Sequence, residues 1–217
     1  MVRYEEERVR RRRNSITTAE IVAVARGIVG SQGADALTVR AVATAMGSAP
    51  MSLYNHFRTK EAMLDAVLDQ VLGELAFDDE GGEWTAELER YGLALAEHLA
   101  AHPWAVLPIM ARPDPGEAAT ALGEKVIGIA LRGGLSPALA VTAFSTIIAL
   151  VYGRAAFLAA ALLPGAQRAE EVTARIDGAD AADFPATASV AEELAGYAGR
   201  QHLERGLRAL IGGLARE

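Results

Sequence analysis

The 217-residue sequence contains no cysteine. Disulfide frameworks, thiolate nucleophiles and thiolate metal sites are therefore excluded, and a reducing compartment suits the chain. Strand signals are scarce: alternating β-branched runs bounded by turns do not recur, while apolar residues return at helical spacing almost throughout. The expectation is an all-α protein. No internal repeat is visible. Met1–Asn14 is heavily charged and lacks an apolar h-region, so a secretory signal is not expected and a cytoplasmic location is. There is no Walker loop, no HExxH and no paired nucleophile and base, so an enzyme is not expected. Nothing calls for a cofactor or a resident metal.

What is present is apolar material and an uneven charge. Half the residues (51%) are hydrophobic, enough for a core. The net charge of −7 hides a split. Residues 1–60 carry ten Lys/Arg against five Asp/Glu, a balance of +5; residues 61–217 carry eleven against twenty-three, a balance of −12. That pattern is a polyanion-binding head on an acidic body. Arg8–Arg13, interrupted only by Val9, lies in a basic N-terminal arm over residues 1–14. Such an arm is either a solvated tail or a contact to DNA phosphates or the minor groove.

Cap and stop residues divide the rest. Thr17 and Glu20 form a capping box ahead of a helix with Ile21, Ala25, Ile28 and Val29 on one face, ended by Gly30 and Gly33. Thr38 caps a second helix over Val39–Ala45; Gly47 suits a left-handed turn; Ser48 is expected to cap a third helix, with Pro50 in its first turn. Thr59 caps a fourth, rich in Leu, Val and Met. Asp78–Glu83 reads as an acidic linker. The domain reading is a DNA-binding domain over 15–76 and a body over 83–217. In the body, helices are expected over Trp84–Ala101, up to about Arg112, over Gly116–Arg132, from Pro137 to about Leu163, over Ser189–Gly196 and over Arg200–Arg216, with a mobile connection between Pro164 and Pro185.

Two short helices joined by a glycine turn across residues 38–57 fit a helix-turn-helix, whose second helix enters the major groove. Leu53 and Phe57 anchor that helix. Pro50, Met51, Ser52, Tyr54, Asn55 and His56 are left to face DNA. Asn55 and His56 can hydrogen-bond base edges or phosphate, Met51 can meet a thymine methyl, and Ser52 and Tyr54 offer hydroxyls to phosphates. Thr38 and Arg40 sit at a helix N-terminus suited to a phosphate, and Arg58 and Lys60 follow where phosphates would pass.

These residues carry a resemblance. The stretches Ala34-Asp35-Ala36-Leu37-Thr38-Val39-Arg40, Ala43-Thr44-Ala45-Met46-Gly47, Leu53-Tyr54-Asn55-His56-Phe57 and Lys60-Glu61-Ala62-Met63-Leu64 resemble the DNA-binding domain of the tetracycline-repressor (TetR) family. Trp84, the Ala111-Arg112-Pro113 step and the last helix, Leu207–Leu214, resemble the C-terminal domain of tetracycline repressors proper. The resemblance implies an all-helical homodimer, joined by a four-helix bundle of two helices per subunit. It also implies double-stranded operator DNA as partner and a small-molecule inducer bound in the body.

For the inducer, the candidates are His98, Trp104, Met110, Arg112, Phe144 and Tyr152, polar or aromatic groups among apolar ones, with His102 and Arg154 nearby in sequence. Arg112 matches a Thr-Arg-Pro step that lines the family's drug pocket. Pro108 and Ala76 stand where the tetracycline repressors carry metal- and drug-binding histidines, so an apolar or aromatic effector is expected rather than magnesium–tetracycline. Two alternatives remain open. His98 and His102, at i and i+4, offer a metal-binding or enzymatic reading. Leu135–Gly153, nineteen residues without a charge, offers a membrane reading against burial between subunits.

Overall fold

Capping decides where the first helices begin. The computed structural model describes residues 16–112, 116–162, 171, 174, 178, 182–195 and 199–216, and among them there is helix and no strand. The basic arm, Pro113 and most of the connection expected between Pro164 and Pro185 lie outside the described residues. Helix α1 (Thr18–Gln32) opens on the capping box: the Glu20 amide donates to Thr17 Oγ1 at 3.2 Å and the Thr17 amide donates to Glu20 Oε2 at 2.9 Å. It buries Ile21, Val22, Ala25 and Val29 and ends at Gly33. A 3-10 turn, Ala34–Ala36, leads to α2 (Val39–Ala45), α3 (Pro50–Tyr54) and α4 (Lys60–Gly73). Thr38 caps α2 by accepting from the Ala41 amide at 3.0 Å, and Thr59 caps α4 by accepting from the Ala62 amide at 3.1 Å.

The third helix corrects one expectation. Its N-cap is Ala49, without a side-chain cap, and the Ser48 hydroxyl turns back to the Ala43 carbonyl at 3.5 Å. Pro50 is the first helical residue, where its missing N–H costs nothing, and this advances the cap to position 49.

The chain divides into two compact units. The first gathers the described residues up to Glu74 with residues 107–120. Its core is α4, which buries Met63, Leu64, Val67, Leu68, Val71 and Leu72. A 14-residue helix is marginal in isolation, so this burial, roughly 1.5–3 kcal/mol per side chain, sustains it. Asp65 and Asp69 on the same helix hold Arg112 and Ala118. The Arg112 guanidinium pairs with the Asp65 carboxylate, and the Ala118 amide donates to Asp69 Oδ1 at 2.8 Å. Gly116 has φ +129°, and a Cβ there would stand 2.7 Å from the Asp69 carboxylate, so both backbone conformation and space demand glycine.

The second unit comprises Leu75–Val106 and Ala121 onward. Helices α5 (Trp84–Ala101), α8 (Pro137–Ala160) and α11 (Arg200–Leu214) pack on one another within it. Between the units' residue ranges run α6 (Pro103–Met110), which tolerates Pro108 in its interior, and α7 (Glu117–Arg132). Glu83 caps α5 by accepting from the Ala86 amide at 2.9 Å, and Ser136 caps α8 by accepting from the Leu139 amide at 3.3 Å. The start of the segment expected as an acidic linker is tethered: Lys125 pairs with Asp78 at 3.2 Å and donates to the Phe77 carbonyl at 2.6 Å, and Arg132 holds Asp79 at 2.8 Å.

Three further boundaries differ from expectation. Helix α8 stops at Ala160 rather than near Leu163. The helix expected over Ser189–Gly196 is two short ones, α9 (Pro185–Ser189) and α10 (Ala191–Ala195), broken at Val190. The last helix ends at Leu214 rather than Arg216.

Helix α8 is long and apolar enough to cross a membrane by length and composition. Yet its buried residues, Ala140, Ala143, Ile147, Val151, Ala155 and Ala159, recur every three or four positions and form one face.

Candidate nucleic-acid interface

The turn between α2 and α3 is made by Gly47 in the left-handed region, φ +61°, with the Ser48 amide returning to the Ala43 carbonyl at 2.9 Å. Leu53 and Phe57, both buried, pin α3 to the core of the first unit. The opposite side of α3 is open. Met51 is 75% exposed, the highest of any large apolar side chain described, and Tyr54 is 46% exposed. Pro50, Asn55 and His56 are exposed, and Ser52 is half-buried.

Beside this face lies a shallow groove of about 480 Å³, lined by Thr38, Val39, Arg40, Tyr54, Arg58, Thr59 and Lys60. It joins the capped N-termini of α2 and α4, whose free amides and dipoles favour an anion. Arg40, Arg58 and Lys60 have no carboxylate partner among the described residues. A groove with three uncompensated cations, two helix N-termini and three hydroxyls is chemically fit for a phosphate backbone. His56 is set by a more distant residue: its Nδ1 lies 3.0 Å from Thr18 Oγ1. If the hydroxyl accepts from Nδ1–H, Nε2 remains an acceptor facing outward; if it donates, Nε2–H is a donor.

Thus the structure places Thr38, Arg40, Tyr54 and Lys60 around one groove, with Pro50, Met51, Ser52, Asn55 and His56 on the adjoining helix and its C-terminal turn. The spacing marks Thr59 only as a helix cap, and Thr18 only as a position inside the capping box of Thr17 and Glu20. Their polar roles depend on which neighbours the fold brings in, which spacing does not reveal.

Comparison with known proteins decides the matter. The model described as "Bacterial regulatory proteins, tetR family" matches residues 21–67. The one described as "Tetracyclin repressor-like, C-terminal domain" matches residues 77–217. The chain belongs to the tetR family. As a tetR-family protein it is a DNA-binding transcriptional regulator, and the helix-turn-helix is its DNA-reading element. An HTH-type transcriptional regulator of Saccharopolyspora erythraea is 27% identical over 98% of the chain and 90% of its own length. The HTH-type transcriptional repressor DrrR1 of Streptomyces coeruleorubidus is 32% identical over 65% of the chain and 53% of its own length. Among solved structures, ActR of Streptomyces coelicolor has the same fold with a TM-score of 0.81, 25% identity, and coverage of 93% of this chain and 95% of its own. ActR has also been crystallised in complex with actinorhodin.

The six candidates for a tetR-type effector site fall in different places. Met110 and Arg112 belong to the first unit; Met110 is 48% exposed, and Arg112 is committed to Asp65. In the second unit, His98 and Trp104 meet around His102: the two histidine rings are 4.7 Å apart and His102 stands 6.3 Å from the Trp104 ring, edge-on. The His102 Nδ1–H donates to the His98 carbonyl at 2.9 Å. Among the described residues no three His, Asp or Glu side chains converge to hold a metal there. Phe144 faces Gly123, where a Cβ would touch its ring at 3.4 Å. Tyr152 is half-buried on α8, and burial raises its phenol pKa above the usual value. A separate small cleft, about 90 Å³, is lined by apolar side chains of α5 and α8 and by Arg154, whose pKa burial lowers.

Proposed function

We propose that the protein is a repressor that grips a roughly palindromic operator as a homodimer and lets go when a small molecule binds its second unit. The observation carrying the DNA half is the groove at Arg40, Arg58 and Lys60 beside the exposed face of α3. Each α3 enters a major groove, Asn55, His56 and Met51 meet base edges or backbone, and Thr38, Ser52, Tyr54 and the three cations hold phosphates. Half-sites then stand one helical repeat apart, about 34–36 Å. DrrR1, named a repressor, supports the sign of regulation.

The dimer reading rests on α8. Opposite its buried face, Val141, Ser145, Ala149, Gly153 and Phe157 form an exposed stripe at i, i+4 spacing whose small central residues permit close helix approach. The last helix, α11, packs beside α8 and completes two helices per subunit. A regulator of the chromosome works in the cytoplasm.

The effector reading takes support from ActR, crystallised with actinorhodin and with (S)-DNPA. His98, Trp104, Phe144 and Tyr152, all in the second unit, remain the proposed contacts for an apolar or aromatic effector, which must bind the DNA-competent and released states unequally; Met110 and Arg112, expected beside them, belong to the first unit. The deciding experiment is fluorescence anisotropy on duplexes from the gene's own promoter region. Binding should weaken steeply with salt. Replacing Arg40, Arg58 and Lys60 together by alanine should flatten the log–log salt slope by about 0.9 per lost contact. An unchanged slope and affinity would sink the reading.

A further inference from the structure

A neutral histidine offers its outward ring nitrogen either as a donor or as an acceptor, and for His56 one distant side chain bears on that choice. Thr18 is the first residue of α1, 38 positions earlier, and its Oγ1 lies 3.0 Å from His56 Nδ1. Both residues are exposed, so the contact sits on the surface of the first unit rather than in its core. The neighbouring hydroxyl, that of Thr17, is spent on the capping box with Glu20. The Thr18 hydroxyl has no other partner among the described residues, so its proton is available to the imidazole.

A histidine facing DNA meets mostly acceptors. Phosphate oxygens only accept, and in the major groove purine N7, guanine O6 and thymine O4 accept as well. A neutral ring serves them when its proton sits on Nε2, the outward nitrogen. Nδ1 is then an acceptor, and the Thr18 hydroxyl is the group placed to donate to it. In the opposite arrangement, with Nδ1–H donating to Thr18, the Nε2 lone pair would face those acceptors and repel them.

We propose that Thr18 is a positioning residue for operator binding: its hydroxyl donates to His56 Nδ1, keeps the ring proton on Nε2 and presents that N–H to an acceptor on the duplex. The proposal rests on the DNA reading above and deepens it, because it adds a residue outside the two helices of the helix-turn-helix to the groups that set affinity. The acceptor is a phosphate oxygen or a purine N7, which take the same donor.

Two measurements on the full chain test it. The first needs no DNA. The ring-nitrogen NMR shifts of His56 separate the two neutral tautomers from each other and from the imidazolium. The Nε2–H form is expected, with an Nδ1 signal that moves in Thr18→Val and stays in place in Thr18→Ser. The second is fluorescence anisotropy on duplexes from the gene's promoter region. Thr18→Val should weaken binding about two- to tenfold, the range of one neutral hydrogen bond, and should cost nothing further in a His56→Ala background. A merely structural Thr18 would instead lower the melting temperature and act whether or not His56 is present. Methylphosphonates and 7-deazapurines, placed one at a time along the duplex, tell the two acceptors apart: the substitution that removes the Thr18 effect marks the partner. An Nδ1–H ring, an imidazolium, a Thr18→Val loss that persists without His56, no loss at all, or a scan that finds no partner would each overturn the proposal. A chain with the expected tautomer that binds no promoter duplex overturns the DNA reading, and the positioning role falls with it while the hydrogen bond stands.

Discussion

At the residue scale, the most consequential contact is one between positions 38 apart in sequence. Thr18 Oγ1 holds the His56 ring, so a residue at the start of α1 orients a side chain at the end of the DNA-reading helix. Thr18→Val should weaken operator binding severalfold with little change in melting temperature, while Thr18→Ser should keep it, as anisotropy would show. The buried tyrosines give a pH prediction. A raised pKa means the folded state keeps its proton longer than the unfolded chain, whose phenols titrate near 10. The contribution is fully present below that pH and is lost as pH rises above it. Of the five tyrosines, Tyr91 and Tyr152 should ionise late in an alkaline ultraviolet titration, and Tyr91→Phe should blunt the alkaline fall in stability. A Tyr91 that titrates at the pH of the unfolded chain's phenols would contradict the burial.

At the element scale, the caps were the legible part. Thr17 with Glu20, Thr38, Thr59 and Ser136 act locally, within three residues, so their spacing alone announces the helix starts. Ser48 does not cap, because Pro50 takes the first helical position and that steric requirement outranks a hydroxyl's cap preference. Gly47 was legible for a similar local reason. Nothing lies within 4 Å of a Cβ built there, so Gly47→Ala should cost only the left-handed backbone term, about 1–2 kcal/mol, measured by urea unfolding. Leu68→Ala in α4 removes a fully buried side chain and should cost more, roughly 2–5 kcal/mol. The attachment of Arg112 and Ala118 to α4 was not legible. Arg112 looked like a pocket arginine, and only the fold brings Asp65 to it across 47 positions.

At the scale of the whole molecule, charge and assembly matter. The basic excess lies in residues 1–60 and the acidic excess after them, so DNA binding should be salt-steep despite a net charge of −7. The exposed stripe on α8 makes a further prediction. Ala149→Arg, placed on the solvent side of the helix, should leave the subunit folded yet shift sedimentation from dimer to monomer. Operator affinity should fall with it, since one head grips one half-site. A dimer that survives this change would move the interface elsewhere.

By itself the sequence determined the helical class, most of the caps, the glycine turn of the helix-turn-helix and the two residues, Leu53 and Phe57, that anchor its second helix. All of these are short-range matters of backbone geometry, hydrophobic period and local hydrogen bonding. Only the tertiary structure decided that Arg112 answers Asp65, that Thr18 steers His56, and that α8 buries one face and leaves another. Those outcomes depend on which surfaces meet across dozens of positions, and that is settled by packing, where one helix's apolar face selects another's.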